Sequence, residues 1–81
     1  MKATNLHQLS RELRASLISE FNLKDFNIKL ESFNSIGSMR IEIADNFQKI
    51  KVTNFIKSKN LKFLLENGKQ KTFKYIFILK K

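Results

Sequence analysis

Cysteine, proline and tryptophan are absent from this 81-residue chain, glycine occurs twice and histidine once. Without cysteine there is no disulfide, no thiolate metal site and no thiol nucleophile, which agrees with a cytoplasmic setting. With only Gly37 and Gly68, no glycine-rich phosphate loop can form. The lack of proline fits a chain with no rigid spacer, and there are no repeats or linkers, so residues 1–81 read as one domain. No apolar run approaches the ~20 residues that span a bilayer, and Met1-Lys2-Ala3-Thr4-Asn5 leads into no signal-peptide core. No membrane partner is therefore expected. His7 has no carboxylate at a diagnostic spacing, and Glu31 and Glu42 each have a basic neighbour across a hairpin. A nucleophile, a base and an orienting group cannot all be named, so the chain is not expected to be an enzyme or to carry a cofactor or metal.

Acid is the other scarcity, and it is confined to one part of the chain. Residues 1–46 hold six basic and six acidic side chains, whereas residues 47–81 hold ten lysines and the single acid Glu66. The whole formal charge of +9 thus sits in the carboxy-terminal portion. Thirteen of the sixteen basic residues are lysine, a bias that AT-rich coding explains. Coding bias does not explain the loss of acids, because Glu and Asp codons are not GC-rich. Such charge separation bears on partners and encounter rates rather than on fold. At 42% apolar, with eight phenylalanines, the chain is too hydrophobic to be disordered.

Periodicity predicts the elements. Leu6, Leu9, Leu13, Leu17, Ile18 and Phe21 recur at three and four, so residues 5–21 read as a helix with Asn5 and Gln8 as a capping pair and Asn22 as a stop. Ile28 and Leu30 alternate with Lys29 and Glu31, and Met39, Ile41 and Ile43 alternate with Arg40 and Glu42. A four-residue loop Asn34-Ser35-Ile36-Gly37 sets Ile28 against Ile43, Leu30 against Ile41 and Ser32 against Met39. On the other face it sets Lys29 against Glu42 and Glu31 against Arg40. Asp45-Asn46 reads as a turn, and Lys49-Ile50-Lys51-Val52-Thr53 alternates as a short third strand. Residues 54–66 admit two readings. One is a helix capped by Asn54, and this is favoured. The other is a strand Leu61–Glu66 turned by Asn67-Gly68 into the last segment. Phe73-Lys74-Tyr75-Ile76-Phe77-Ile78-Leu79 is a strand with apolar residues on both faces, as suits a central position. The expected fold is α+β: an antiparallel sheet of about four strands with one or two helices on one face, in the order α-β-β-β-(α)-β.

The lysines are the candidate site. Lys49, Lys51, Lys57, Lys59, Lys62, Lys69, Lys71 and Lys74 neutralise phosphates without reading bases, and a solvated, solubilising surface is the bland alternative. Phe73, Tyr75 and Phe77, interleaved with Lys71 and Lys74, are either a stacking platform for unpaired bases or core. Core is the better reading of the three in so small a domain, and Tyr75 is the one to test for stacking.

Two stretches resemble known families. Lys57-Ser58-Lys59-Asn60-Leu61-Lys62 resembles the basic helix start of double-stranded RNA-binding domains. Leu9-Ser10-Arg11-Glu12-Leu13-Arg14 through Phe21, the strand from Asn27 to Ser32, the loop Asn34-Ser35-Ile36-Gly37-Ser38 and Met39-Arg40-Ile41-Glu42-Ile43-Ala44-Asp45 together resemble the helix–hairpin unit of the large polyvalent protein-associated domain of phage and plasmid proteins. The tryptophan of its second strand and the Gly-Pro after the acid are missing here. That likeness implies a mobile-element origin. The leading expectation is a small basic, non-enzymatic nucleic-acid-binding protein, for RNA or DNA. The alternative is a phage-encoded, anti-CRISPR-like inhibitor that binds a host defence protein or another acidic or nucleoprotein partner. A third reading is a homodimer joined through the hydrophobic final strand.

Overall fold

Helix α1 (Leu6–Phe21) begins where Asn5 is extended and its Oδ1 accepts a hydrogen bond from the Gln8 N–H at 2.8 Å. It ends at Asn22, whose left-handed backbone (φ 53°) lets its N–H donate to the Ile18 carbonyl at 2.9 Å. Both ends agree with the sequence. Leu9, Leu13 and Leu17, one stripe of the helix, are buried without remainder. The computed structural model describes residues 4–81, and Met1-Lys2-Ala3, part of the start read for a leader, lies outside them.

Strands β1 (Phe26–Phe33) and β2 (Ile36–Ile43) form the expected antiparallel hairpin, but with its register moved by two residues. Phe26 pairs with Ile43, Ile28 with Ile41 and Leu30 with Met39. The loop is only Asn34-Ser35, with φ of 51° and 65°, the doubly positive geometry whose twist matches the flanking strands. A two-residue shift keeps every side chain on its expected face. It does break the expected charge pairs: Lys29 now stands opposite Arg40 and Glu31 opposite Ser38. The ion pairs run along each strand instead, Lys29–Glu31 at 3.2 Å and Arg40–Glu42 at 3.9 Å. Exposed pairs are worth at most ~1 kcal/mol, too little to hold a register against turn geometry.

Residues 46–59, expected to begin with a third strand, are helix α2 (Asn46–Lys59). Asp45 is its cap rather than a turn residue, accepting from the Phe47 N–H at 2.9 Å, and Asn54 lies inside the helix rather than capping one. The alternation Ile50, Val52 was misleading: Val52 is fully buried, whereas Ile50, on the opposite side of the helix, is 66% exposed. A strand would have buried both on one face. Two tertiary ties hold α2 beside the end of α1. Gln48 Nε2 donates to the Phe21 carbonyl at 3.2 Å, and the Phe21 and Phe55 rings meet edge to face at 5.3 Å.

The residues favoured as a helix after Asn60 instead form strand β3 (Lys62–Leu64), which turns into β4 (Gln70–Lys80). The hairpin that was the second reading is thus the one adopted, with Lys62 against Thr72 and Leu64 against Gln70. Its connection is longer than a tight two-residue turn. Leu65 and Lys69 close it by a backbone bond of 2.9 Å, and Gly68 supplies a φ of 84°. Asn60, left-handed at φ 48°, ends α2 where the double-stranded RNA-binding likeness required a helix to open.

The sheet runs β1-β2-β4-β3 and is mixed rather than wholly antiparallel, because β2 and β4 are parallel. Parallel neighbours need a long crossover, and α2 supplies it. The chain is therefore α+β as expected, with two helices on a four-stranded sheet, in the order α-β-β-α-β-β. The buried residues form one cluster between the helices and one face of the sheet, drawing Met39, Ile41 and Ile43 from β2 and Val52 and Ile56 from α2. Gly37 belongs to this packing and not to a loop. A Cβ there would lie 2.3 Å from Cε1 of Phe63, whose ring packs against Phe73 at 4.9 Å between centroids.

Candidate nucleic-acid interface

The face of the sheet away from the helices owes its character to one irregularity. Gly37 pairs with Phe73 and Ser38 with Tyr75, so Lys74 is an extra residue, a β-bulge. Before the bulge Phe73 points into the core. After it, Ile76 and Ile78 take the covered side, and Tyr75 and Phe77 are turned out. The three aromatics that the sequence leaves together are thereby divided: Phe73 is core, while Tyr75 is 46% and Phe77 48% exposed.

The registers place the open-face residues in rows across three strands. Glu31, Ser38 and Tyr75 form one row, and Lys29, Arg40 and Phe77 form the next. Phe33 and Ile36, paired and both exposed, make the row beyond Glu31 and Ser38. The Tyr75 and Phe77 rings stand side by side, 6.4 Å between centroids and parallel within 1°. The Lys74 ammonium lies 5.5 Å from the Tyr75 ring centroid. Beside them a shallow depression of about 220 Å³ is lined by Glu31, Phe33, Ile36, Ser38 and Tyr75. Flat, exposed π-faces beside cations are what unpaired bases and their phosphates stack on and pair with.

The expected lysines divide between the two layers. Lys49, Lys51, Lys57 and Lys59 lie on α2, behind the sheet, with Lys49 half-buried. Lys57 and Lys59 occupy the last turn, where the carbonyl end of the helix favours cations, and the Lys59 ammonium lies 5.0 Å from the Phe55 ring centroid. Lys62, Lys69, Lys71 and Lys74 all belong to the β3–β4 hairpin. Lys62, exposed beside buried Phe63, projects toward the open side as Lys74 does. The expected set is thus two groups rather than one continuous patch. Of the hairpin group Lys71, opposite buried Phe63, falls on the covered side, leaving Lys62, Lys69 and Lys74 to border the aromatic face.

Among the described residues, none of the nine lysines from Lys49 to Lys80 stands within ion-pairing distance of a carboxylate; only Lys81 does, paired with Asp25. The hairpin cations are therefore uncompensated, whereas Lys29 and Arg40 already neutralise Glu31 and Glu42. Phe33, Ile36 and Arg40 join the site without having been singled out for it in the sequence, and Phe77, read there as either platform or core, is exposed beside Tyr75. Phe33 was legible, because it continues the outward positions Asn27, Lys29 and Glu31 by the same period of two. No cluster of His, Cys, Asp or Glu able to hold a metal occurs among the described residues, and His7 is exposed on the first turn of α1. No helix among the described residues is long and apolar enough to cross a membrane. No protein-family model matches the chain, and no curated protein and no solved structure matches it either.

Proposed function

We propose that this protein binds single-stranded nucleic acid across the open face of its sheet, with bases on Tyr75 and Phe77 and phosphates on the hairpin lysines. The observation that carries this reading is the bulge at Lys74, which turns two parallel aromatic rings outward beside uncompensated cations. Packing does not require that exposure, since Phe73 shows that this strand can bury a ring. Base stacking accepts every base and lysine reads no base edge, so binding is weakly sequence-specific. Duplex ends and loops are taken in preference to paired stretches, whose base faces are covered by their neighbours.

Salt dependence tests it. Lys71, opposite Phe63, falls on the covered side, so Lys62, Lys69 and Lys74 on phosphate give a log–log slope near −2 for a single strand, at about −0.7 per contact. Lys62→Ala and Lys74→Ala each lower that slope by about 0.7, whereas Lys51→Ala and Lys57→Ala leave it unchanged. Equal losses from the α2 pair would refute the assignment to the open face.

A second reading rests on a separate observation. Phe47 and Ile50, three apart on the outer side of α2, are 84% and 66% exposed. Such anchors suit a protein partner, as expected of a phage-encoded inhibitor. Nuclease-resistant binding to one purified host protein, lost in Phe47→Glu, supports it, and binding unchanged in that variant counts against it.

A further inference from the structure

Strand β4 has eleven residues, of which β3 pairs only Gln70, Lys71 and Thr72. From Phe73 to Lys80 the strand is bonded to β2 on one side and to no other strand of the described residues on the other. An edge of this kind offers a row of N–H and C=O groups to another chain. The edge of β1 is guarded by Lys29 and Glu31, and that of β3 is met by Thr4, whose carbonyl accepts from the Leu64 N–H at 2.9 Å. Tyr75, Ile76, Phe77, Ile78 and Leu79 carry no charge at all. Ile76 lies on the covered side, opposite Met39, and is still 36% exposed, so the helices leave this edge partly bare.

We infer that two copies join antiparallel along this edge, with Phe77 at the two-fold axis, into one eight-stranded sheet. The sequence selects the register. Centring on Phe77 sets Tyr75 of one copy against Leu79 of the other and Ile76 against Ile78, apolar against apolar on matching faces. Centring on Ile76 or Ile78 sets a lysine against an isoleucine, and a one-residue slip mixes the faces. The half-exposed side chains amount to roughly 300–400 Å² per copy, so the pair buries under about 1,000 Å², the low end of specific interfaces. An interface of this size suits a reversible dimer. Lys74 meets Lys80 of the other copy at each end of the ladder, and salt screens that repulsion. Salt thus strengthens the dimer while it weakens phosphate binding. This inference goes beyond the nucleic-acid reading and does not depend on it, though the dimer brings two aromatic faces into one surface.

Sedimentation equilibrium of the full chain, from micromolar to sub-millimolar in low and in molar salt, tests it. The expected result is a monomer–dimer equilibrium that shifts toward dimer in molar salt. Ile76→Lys is expected to raise the dissociation constant at least tenfold, with single-strand affinity kept because Ile76 lies off the open face. Ile76→Thr is the milder variant should the lysine disturb the fold. The chain has no cysteine, so Phe77→Cys carries its only thiol and forms an interchain disulfide under mild oxidation faster than Phe47→Cys on α2. A wild-type monomer at sub-millimolar concentration in molar salt overturns the dimer, as does equal cross-linking of the two cysteine variants. A dimer without single-strand affinity sinks only the nucleic-acid reading, and a strand-binding monomer sinks only the dimer.

Discussion

Replacing Tyr75 by alanine separates a base platform from a merely exposed ring. Base–aromatic stacking is worth ~1–3 kcal/mol per base, so losing one ring weakens binding roughly 5- to 150-fold. The cost to folding is smaller. Tyr75 is 46% exposed, and the buried half of such a side chain contributes about 1 kcal/mol. Its parallel contact with Phe77 adds about 0.5 kcal/mol. A domain with several kcal/mol of stability tolerates that loss and stays folded. Fluorescence anisotropy of a labelled single strand of about ten nucleotides at low salt measures the first quantity, and urea unfolding measures the second. Tyr75→Phe keeps the ring and is expected to bind within twofold of the parent. A folded Tyr75→Ala protein with unchanged affinity would refute stacking at this position.

The packing makes further predictions. Gly37→Ala drives a methyl group to 2.3 Å from the Phe63 ring and is expected to destabilise the fold by about 1–3 kcal/mol, read as a lower urea midpoint. Ile50→Lys is expected to leave that midpoint nearly unchanged, while Val52→Lys, which buries a charge, unfolds the protein; similar effects of the two would contradict helix α2. Ser35 sits at φ 65° in the two-residue turn, so Ser35→Gly is expected to raise stability by about 0.5–1 kcal/mol.

What the sequence made legible was whatever local chemistry alone decides. Asn5 and Asn22 bounded α1 correctly because a cap is a contact between near neighbours. The faces of β1 and β2 followed from alternation, and the register missed by two because Gly37 looked like a loop residue while serving the Phe63–Phe73 contact. Helix α2 was hidden by Phe47 and Ile50, exposed apolar residues that blurred its stripe and mimicked a strand's alternation. With α2 taken for a strand, the parallel pairing of β2 and β4 could not be foreseen either. The candidate site was half visible. Its lysines and Tyr75 were named, but the bulge that parts Phe73 from Tyr75 and Phe77 leaves no mark in composition, and it separates platform from core.

The most direct test of the open-face site is backbone and side-chain NMR of the protein titrated with a short single strand. Shift changes are expected to concentrate on Arg40, Lys62, Lys74, Tyr75 and Phe77, with upfield ring-current shifts where bases stack, while Lys51, Lys57 and Ile50 on α2 stay still. Changes gathered on α2, or none at low salt, would contradict it.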